Sequence, residues 1–272
     1  MAIKALKETG HSGYRIAKVA VRRRGQTGWQ ETQQDDSLAE ELPVAFSYNG
    51  QTHAVMMATP TDLENFALGF SLSEGIIEHT SELYDLNIVD HGERGIELDL
   101  RIHGTRLDAL KQQRRTMAGP SGCGLCGKDS LDQVMRDLPQ VTPRSLPSAE
   151  AVETALTQLQ SYQPLQQLTG AIHAAAWCDE AGHIQQVRED VGRHNALDKL
   201  LGAIYSETLS TDSGFLLLSS RASFELIAKA AQCDLGAMVT VSGASNLAAQ
   251  QAKRYGIRLV GFARDGRHLV YC

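Results

Sequence analysis

Three short, largely apolar runs in the second half of the chain, Phe215–Leu218, Ala237–Val241 and Ile257–Phe262, constrain the fold most. Each is too short for a helix and too apolar to carry a wet face. Between them lie two segments of helical character, Ser223–Cys233 and Asn246–Tyr255, each opened by a capping or turn residue. Short buried strands alternating with helices predict a layered α/β domain. The segments upstream fit the same rhythm. Ser148 can cap a helix running to about Gln160, Ala171–Cys178 and Ile184–Arg188 read as a strand pair around Asp179–Gly182, and a helix is predicted from His194 to Tyr205. His268–Tyr271 reads as a last strand.

The first half has a different rhythm. The first dozen residues are polar and loose, Tyr14–Arg23 reads as a strand, and a polar, acidic loop is expected through Asp35, Asp36, Glu40 and Glu41. Val44–Tyr48 and His53–Met57 flank Asn49-Gly50, a strong hairpin signal. Thr59-Pro60-Thr61-Asp62 reads as a helix start, with Leu63, Phe66, Ala67 and Phe70 giving one apolar face and Gly75 ending it. Ile96, Leu98, Leu100 and Ile102 alternate with polar residues as a half-buried strand, and a basic helix with Lys111, Arg114 and Arg115 near its end follows. Pro139, Pro143 and Pro147 mark a linker. The expected organisation is α/β: a smaller α+β N-terminal domain over residues 1–142 and a C-terminal domain over 143–272.

Composition excludes several classes. The 272 residues carry 26 Lys+Arg against 32 Asp+Glu, a formal charge of -6, so a broadly basic binder of nucleic-acid polymers is not expected. No run approaches the ~20 apolar residues of a membrane-spanning helix. Arg22-Arg23-Arg24 is followed by Gly25, Gln26, Thr27 and Gly28 and not by an apolar export segment. These features predict a cytoplasmic protein with reduced thiols. Five cysteines, an odd number, do not suit a fully paired disulfide framework.

Two of those cysteines carry chemistry. Cys123 and Cys126 form a C-x-x-C within Ala118-Gly-Pro-Ser-Gly-Cys-Gly-Leu-Cys-Gly127, a loop with four glycines and a proline. A structural zinc site wants four ligands, and no second pair stands at zinc spacing. His91-Gly92-Glu93 ahead of the pair imitates the zinc signature of base deaminases, but it lies in a turn feeding a strand and Pro120 is two residues too early, so no metal is expected. A dithiol redox centre needs the first cysteine at a helix start, which the flanking glycines oppose. A sulfur-relay cysteine on a mobile arm is the third reading, in which glycine supplies reach and Arg114, Arg115 and Lys128 favour the thiolate. Two inert surface cysteines remain the plain alternative.

Gly192-Arg193-His194-Asn195 lies between a strand and a helix, where α/β domains bind anions, so Arg193 and His194 are candidate ligand residues; a helix cap or core contact is the equal alternative. Ser220-Arg221-Ala222-Ser223 has the same context. His173, inside an apolar strand, reads first as a buried, hydrogen-bonded histidine.

Met57-Ala-Thr-Pro-Thr-Asp-Leu-Glu64, Ala67–Ile77, Ser121–Gly127, Leu168–Ala176, Glu189–Leu201, Ser219–Glu225 and Leu259–Phe262 stand in the order seen in one family. The chain resembles the FdhD family, sulfur carrier proteins needed for formate dehydrogenase activity. The resemblance implies a sulfurtransferase-type carrier that accepts persulfide sulfur from a cysteine desulfurase. It passes that sulfur to the molybdenum bis(molybdopterin guanine dinucleotide) cofactor before insertion into the formate dehydrogenase catalytic subunit. It further implies a homodimer, no membrane, a three-layer C-terminal domain of cytidine-deaminase-like fold without zinc catalysis, and Cys123 as the persulfide bearer with Cys126 beside it. Cys126 can release the sulfur by forming a disulfide or act as a relay. The family's cofactor segment falls on Phe262-Ala263-Arg264-Asp265-Gly266-Arg267, where the arginines can pair phosphates, Gly266 lets backbone approach, and Asp265 can accept from guanine. An ordinary hairpin turn is the alternative there. A zinc or dithiol redox protein, or a cofactor chaperone that moves no sulfur, are the competing functions.

Overall fold

In the computed structural model the chain is described over residues 11–26, 28–115, 137–264 and 266–272. Twelve strands and seven α-helices are described there. The chain opens with an antiparallel ribbon of β1 (Tyr14–Gly25) and β2 (Gly28–Ala39). A four-stranded sheet follows, built from β3 (Leu42–Tyr48), β4 (Gln51–Ala58), β5 (Leu83–Asp90) and β6 (Ile96–Ile102) in the order β4-β3-β6-β5. Helix α1 (Leu63–Ser73) lies between β4 and β5, and α2 (Gly104–Arg115) follows β6.

The second half begins with α3 (Ala149–Leu159) and the short α4 (Pro164–Thr169). Its sheet contains β7 (His173–Cys178), β8 (Ile184–Asp190), β9 (Phe215–Leu218), β10 (Ala237–Thr240), β11 (Arg258–Arg264) and β12 (Arg267–Val270), in the order β12-β11-β10-β9-β7-β8. Strands β9, β10 and β11 run parallel, while β7, β8 and β12 pair antiparallel with their neighbours. Helices α5 (Arg193–Ser206), α6 (Phe224–Gln232) and α7 (Asn246–Tyr255) connect them.

Strand side chains alternate between two cores, as the period of two requires. Ala175, Trp177, Leu216, Leu218 and Met238 face α5, α6 and α7, whereas Ala174, Ala176, Leu217 and Val239 face α3. The sheet is therefore covered by helices on both sides, which explains why its strands read as apolar runs. The first core continues through α1 into Val44, Phe46, Leu98 and Leu100 of the four-stranded sheet, so it draws on both halves of the chain.

Three readings of the sequence change here. The acidic loop expected after residue 23 is strand β2 through Ala39. It pairs in register with β1, with Lys18 Nζ 3.3 Å from Asp35 Oδ1 and Arg22 Nε 2.7 Å from Glu31 Oε2. Most of this ribbon is exposed, so β2 has no apolar period to read. Pro60 lies outside α1, which begins at Leu63 behind an Asp62 of positive φ. Helix α1 is also buried nearly all round, Leu68, Gly69, Ser71 and Leu72 included, because α5 covers the side opposite the sheet.

That crossing is set by two glycines. A β-carbon at Gly69 would fall inside the carbonyl oxygen of Asp198 on α5, and one at Gly202 inside the carbonyl oxygen of Asn65 on α1. Backbone touches backbone at this point, and neither neighbour is a side chain that can swing away. Gly69→Ala is expected to lower unfolding stability by about 3 kcal/mol, the upper end for overpacking. Urea denaturation measures it, and an unchanged midpoint would contradict the close crossing.

Candidate functional site

The carboxyl ends of β8, β9, β10 and β11 share one edge of the sheet. The turns leaving β9 and β10 are tied together by backbone hydrogen bonds. Ser242 N donates to Ser220 O (3.2 Å), Ala222 N to Gly243 O (3.1 Å) and Ser245 N to Ala222 O (3.1 Å). Phe262 N on β11 donates to Ser242 O (3.0 Å). The β8–α5 turn joins the same edge, since His173 at the start of β7 pairs with Asp190 at the end of β8. His173 Nδ1 lies 3.4 Å from Ser219 Oγ, which also accepts from Ala174 N (2.8 Å). His173 is half-buried, and its neutral form is favoured by burial and then by the Arg193 charge.

Arg193 and His194 begin α5 at this edge. Arg193 Nε and His194 Nε2 are both buried, and neither has a hydrogen-bond partner among the described residues. Burial, then the Arg221 guanidinium, pull the Arg193 guanidinium below its ordinary value. Burial, then Arg193 and Lys229, lower His194 to about 4, so its imidazole is neutral at pH 7. Glu225, in the first turn of α6, places Oε2 3.9 Å from His194 Nε2, beyond hydrogen-bond reach. Burial raises the Glu225 carboxyl, but hydrogen bonds and the neighbouring Arg193 guanidinium outweigh it and leave it ionised. Ser223 stands at the N-cap of α6 without making a side-chain cap bond, contrary to its reading as a cap. A buried Arg193 Nε–H without a partner, a second arginine and two helix N-termini together make an edge suited to a phosphate-bearing ligand.

The turn carrying Arg193 is anchored from below. Asp190 Oδ1 accepts from Gly192 N (2.7 Å) and Asn195 Nδ2 (2.9 Å), and Asp190 Oδ2 from Thr59 N (3.0 Å) and Lys199 Nζ (2.8 Å). Lys199 and Asp190 have side chains with 0% exposure, and Lys199 also donates to Thr59 O (2.8 Å). A second buried lysine, Lys229 on α6, bonds both Asp198 oxygens (2.9 Å each), Ser73 Oγ (2.9 Å) and Glu74 Oε1 (2.8 Å). Each cation is thus paired and hydrogen-bonded, the condition for tolerating it in a core.

The sequence-predicted residues fall in three places. Arg193 and His194 are brought together with Arg221, His173 and Glu225. The segment from Phe262 forms the β11–β12 hairpin. Phe262 has φ +51°, is bulged out of register and lays its ring over Gly243, where a β-carbon would sit 2.6 Å from Phe262 Cζ. Arg264 and Arg267 pair across the hairpin, Gly266 turns at φ +70°, and Ala263 is buried in the second core. The Arg264 guanidinium lies 5.9 Å from the Phe262 ring centroid. Cys123, Cys126 and Asp265 lie outside the described residues. Among the described residues, no three His, Cys, Asp or Glu side chains converge as metal ligands would, and no helix is long and apolar enough to cross a membrane.

Sequence reasoning passed over Glu225, Gly243 and the Ser242–Ser245 turn. One signal was present: Ser220-Arg-Ala-Ser223 and Ser242-Gly-Ala-Ser245 repeat a Ser-X-Ala-Ser pattern after successive strands, and Ala222 and Ala244 form a parallel bridge.

The model of the FdhD/NarQ family matches residues 39–272, which take in all of these site elements. The chain belongs to the FdhD/NarQ family. Among relatives, the sulfur carrier protein FdhD of Cupriavidus necator is 51% identical over 236 residues, covering 87% of this chain and 82% of that protein. Its namesake in Acinetobacter baylyi is 46% identical over 237 residues, covering 87% and 86%. The crystal structure of a formate dehydrogenase accessory protein from Desulfotalea psychrophila has a TM-score of 0.73 at 24% identity, covering 95% and 96%, and is a likeness of fold. In this family member the resemblance seen in the sequence is thereby sustained at the level of membership.

The neutral His194 has a consequence for stability. The unfolded chain binds a proton near the ordinary 6.5, whereas the folded chain resists it until about 4. Stability is therefore fully present above pH 6.5 and falls between about 6.5 and 4, by ~2–3 kcal/mol from this group. His194→Gln is expected to flatten that slope in urea titrations at successive pH values; an unchanged slope would mean that the imidazole protonates freely in the fold.

Proposed function

We propose that this chain is a sulfur carrier for formate dehydrogenase maturation, taking persulfide sulfur from a cysteine desulfurase and handing it to the molybdenum bis(molybdopterin guanine dinucleotide) cofactor. The observation that carries this reading is the family match across residues 39–272, a span that includes Cys123 and Cys126. The relatives' name, sulfur carrier protein FdhD, supports the sulfur-carrying side of it.

The chemistry balances with the residues in hand. The Cys123 thiolate attacks the outer sulfur of the desulfurase persulfide, so an S–S bond forms on Cys123 as the donor cysteine leaves as thiolate. Release of that sulfur as hydrosulfide takes two electrons, which Cys126 can supply by closing a disulfide with Cys123; an external thiol then resets the pair. Alternatively, Cys126 receives the sulfur as a relay. The cofactor, as substrate, brings pyrophosphates and guanines to the chain. Arg193 and Arg221 suit the phosphate oxygens, neutral His194 offers one further polar contact, and the Phe262–Arg267 hairpin lies at the neighbouring strand end. The helix-covered six-stranded sheet is compatible with the cytidine-deaminase-like reading of the C-terminal half.

Two measurements test the reading. Incubation with a cysteine desulfurase and cysteine should add one sulfur atom to the Cys123–Cys126 peptide by mass spectrometry, and Cys123→Ala should lose it. The same variant, with an unchanged melting curve, should leave formate dehydrogenase inactive in cells; normal activity there would refute sulfur transfer. Cofactor binding without any sulfur gain would instead favour a chaperone.

A further inference from the structure

Thr59 lies in the first half of the chain, between β4 and α1, and has 0% exposure. Its polar groups nevertheless reach across to the second half, to the turn between β8 and α5 and to the helix behind it. The Thr59 N–H donates to Asp190 Oδ2 (3.0 Å), its carbonyl oxygen accepts from Lys199 Nζ (2.8 Å), and its hydroxyl oxygen accepts from Val191 N (3.1 Å). The next amide of the turn, Gly192 N, donates to Asp190 Oδ1 (2.7 Å). Asn195 Nδ2 ties the same turn to Met57 O at the end of β4 (2.8 Å) and to Asp190 Oδ1 (2.9 Å). The turn is also closely filled, since a β-carbon at Gly192 would stand 2.8 Å from Asn195 Nδ2.

Arg193 is the residue that follows. Val191 N and Gly192 N are both satisfied inside the fold, whereas Arg193 Nε is buried without a partner among the described residues. The two amides are therefore the fixed base from which the guanidinium is presented. Removing the Thr59 hydroxyl takes the acceptor from Val191 N, and a turn that must satisfy that amide elsewhere shifts. Pairing of a guanidinium with phosphate oxygens is sensitive to such a shift, because its N–H groups must stay aligned with the acceptors. We propose that Thr59 is a positioning residue for phosphate binding, acting through Arg193 and not by contact: it holds the β8–α5 turn so that Arg193 faces the edge shared with Arg221. The proposal rests on the reading of that edge as a phosphate site. It makes a site assembled on the second half of the chain depend on the docking of the first.

Titration calorimetry of the full chain with inorganic pyrophosphate tests this. Thr59→Val keeps the side-chain shape and the backbone bonds but removes the hydroxyl, and should weaken pyrophosphate binding about tenfold, the equivalent of one misaligned charged hydrogen bond. Thr59→Ser returns the hydroxyl and should bind within about twofold of the unaltered chain. In an Arg193→Ala background, which keeps Arg221, Thr59→Val should cost no further affinity, because the group it positions is gone. Asn195→Ala frees the same turn from Met57 and is the second variant, with the same loss and the same dependence on Arg193 expected if Thr59→Val melts below the working temperature. A lowered melting temperature with unchanged pyrophosphate affinity, or an equal loss with and without Arg193, would overturn the positioning role. Absence of pyrophosphate binding to the unaltered chain would overturn the phosphate edge and the positioning role together, whereas persulfide loading of Cys123 tests sulfur transfer separately.

Discussion

The contact on which this structure depends is the crossing of α1 and α5. It is a backbone-to-backbone approach at Gly69 and Gly202, flanked on either side by a buried lysine. Lys199 and Asp190 tie the turn before α1 to the turn before α5, and Lys229 and Asp198 tie the end of α1 to α6. A buried ion pair adds little net stability over an apolar equivalent, but losing one partner costs several kcal/mol because the other is left unpaired. The arrangement therefore defines one docking of the four-stranded sheet on the six-stranded one more than it strengthens it.

The candidate site inherits its geometry from that docking. Asp190 uses one carboxylate oxygen for the β8–α5 turn and the other for Thr59 and Lys199, so the residue that shapes the turn below Arg193 also holds the first half of the chain. Arg193 and His194 are kept short of partners by the same packing that buries them, and both are shifted in the direction burial imposes. A half-buried guanidinium beside a second guanidinium is unfavourable in isolation and becomes favourable when an anion arrives. That is the physical reason to place a phosphate-bearing ligand there and not on the exposed arginines of the ribbon.

Most strands and helices of the second half were legible because a two-sided buried sheet writes itself as apolar runs. Asn49-Gly50 likewise marks its hairpin, since both residues have the positive φ that a tight turn between twisted strands demands. Strand β2 was illegible because the ribbon packs neither face against the body over most of its length, and a strand with no buried face carries no alternation. The single apolar face assigned to α1 was incomplete for the opposite reason, as its second buried side is made by a helix more than a hundred residues away.

What the sequence by itself determined is chemical and local. It carries the motifs of the family, sets Cys123 and Cys126 three residues apart in a glycine-rich run, and places most of the strands, helices and turns, because periodicity and short motifs act between near neighbours. Only the tertiary structure decided that Arg193, His194, Arg221 and His173 share one edge, that Glu225 faces His194, and that Phe262 turns out over Gly243. It also decided that Lys199 and Lys229 are buried in pairs and not exposed as their residue type suggests. Those outcomes depend on which backbone approaches which across long separations, and two glycines and two carboxylates set that approach.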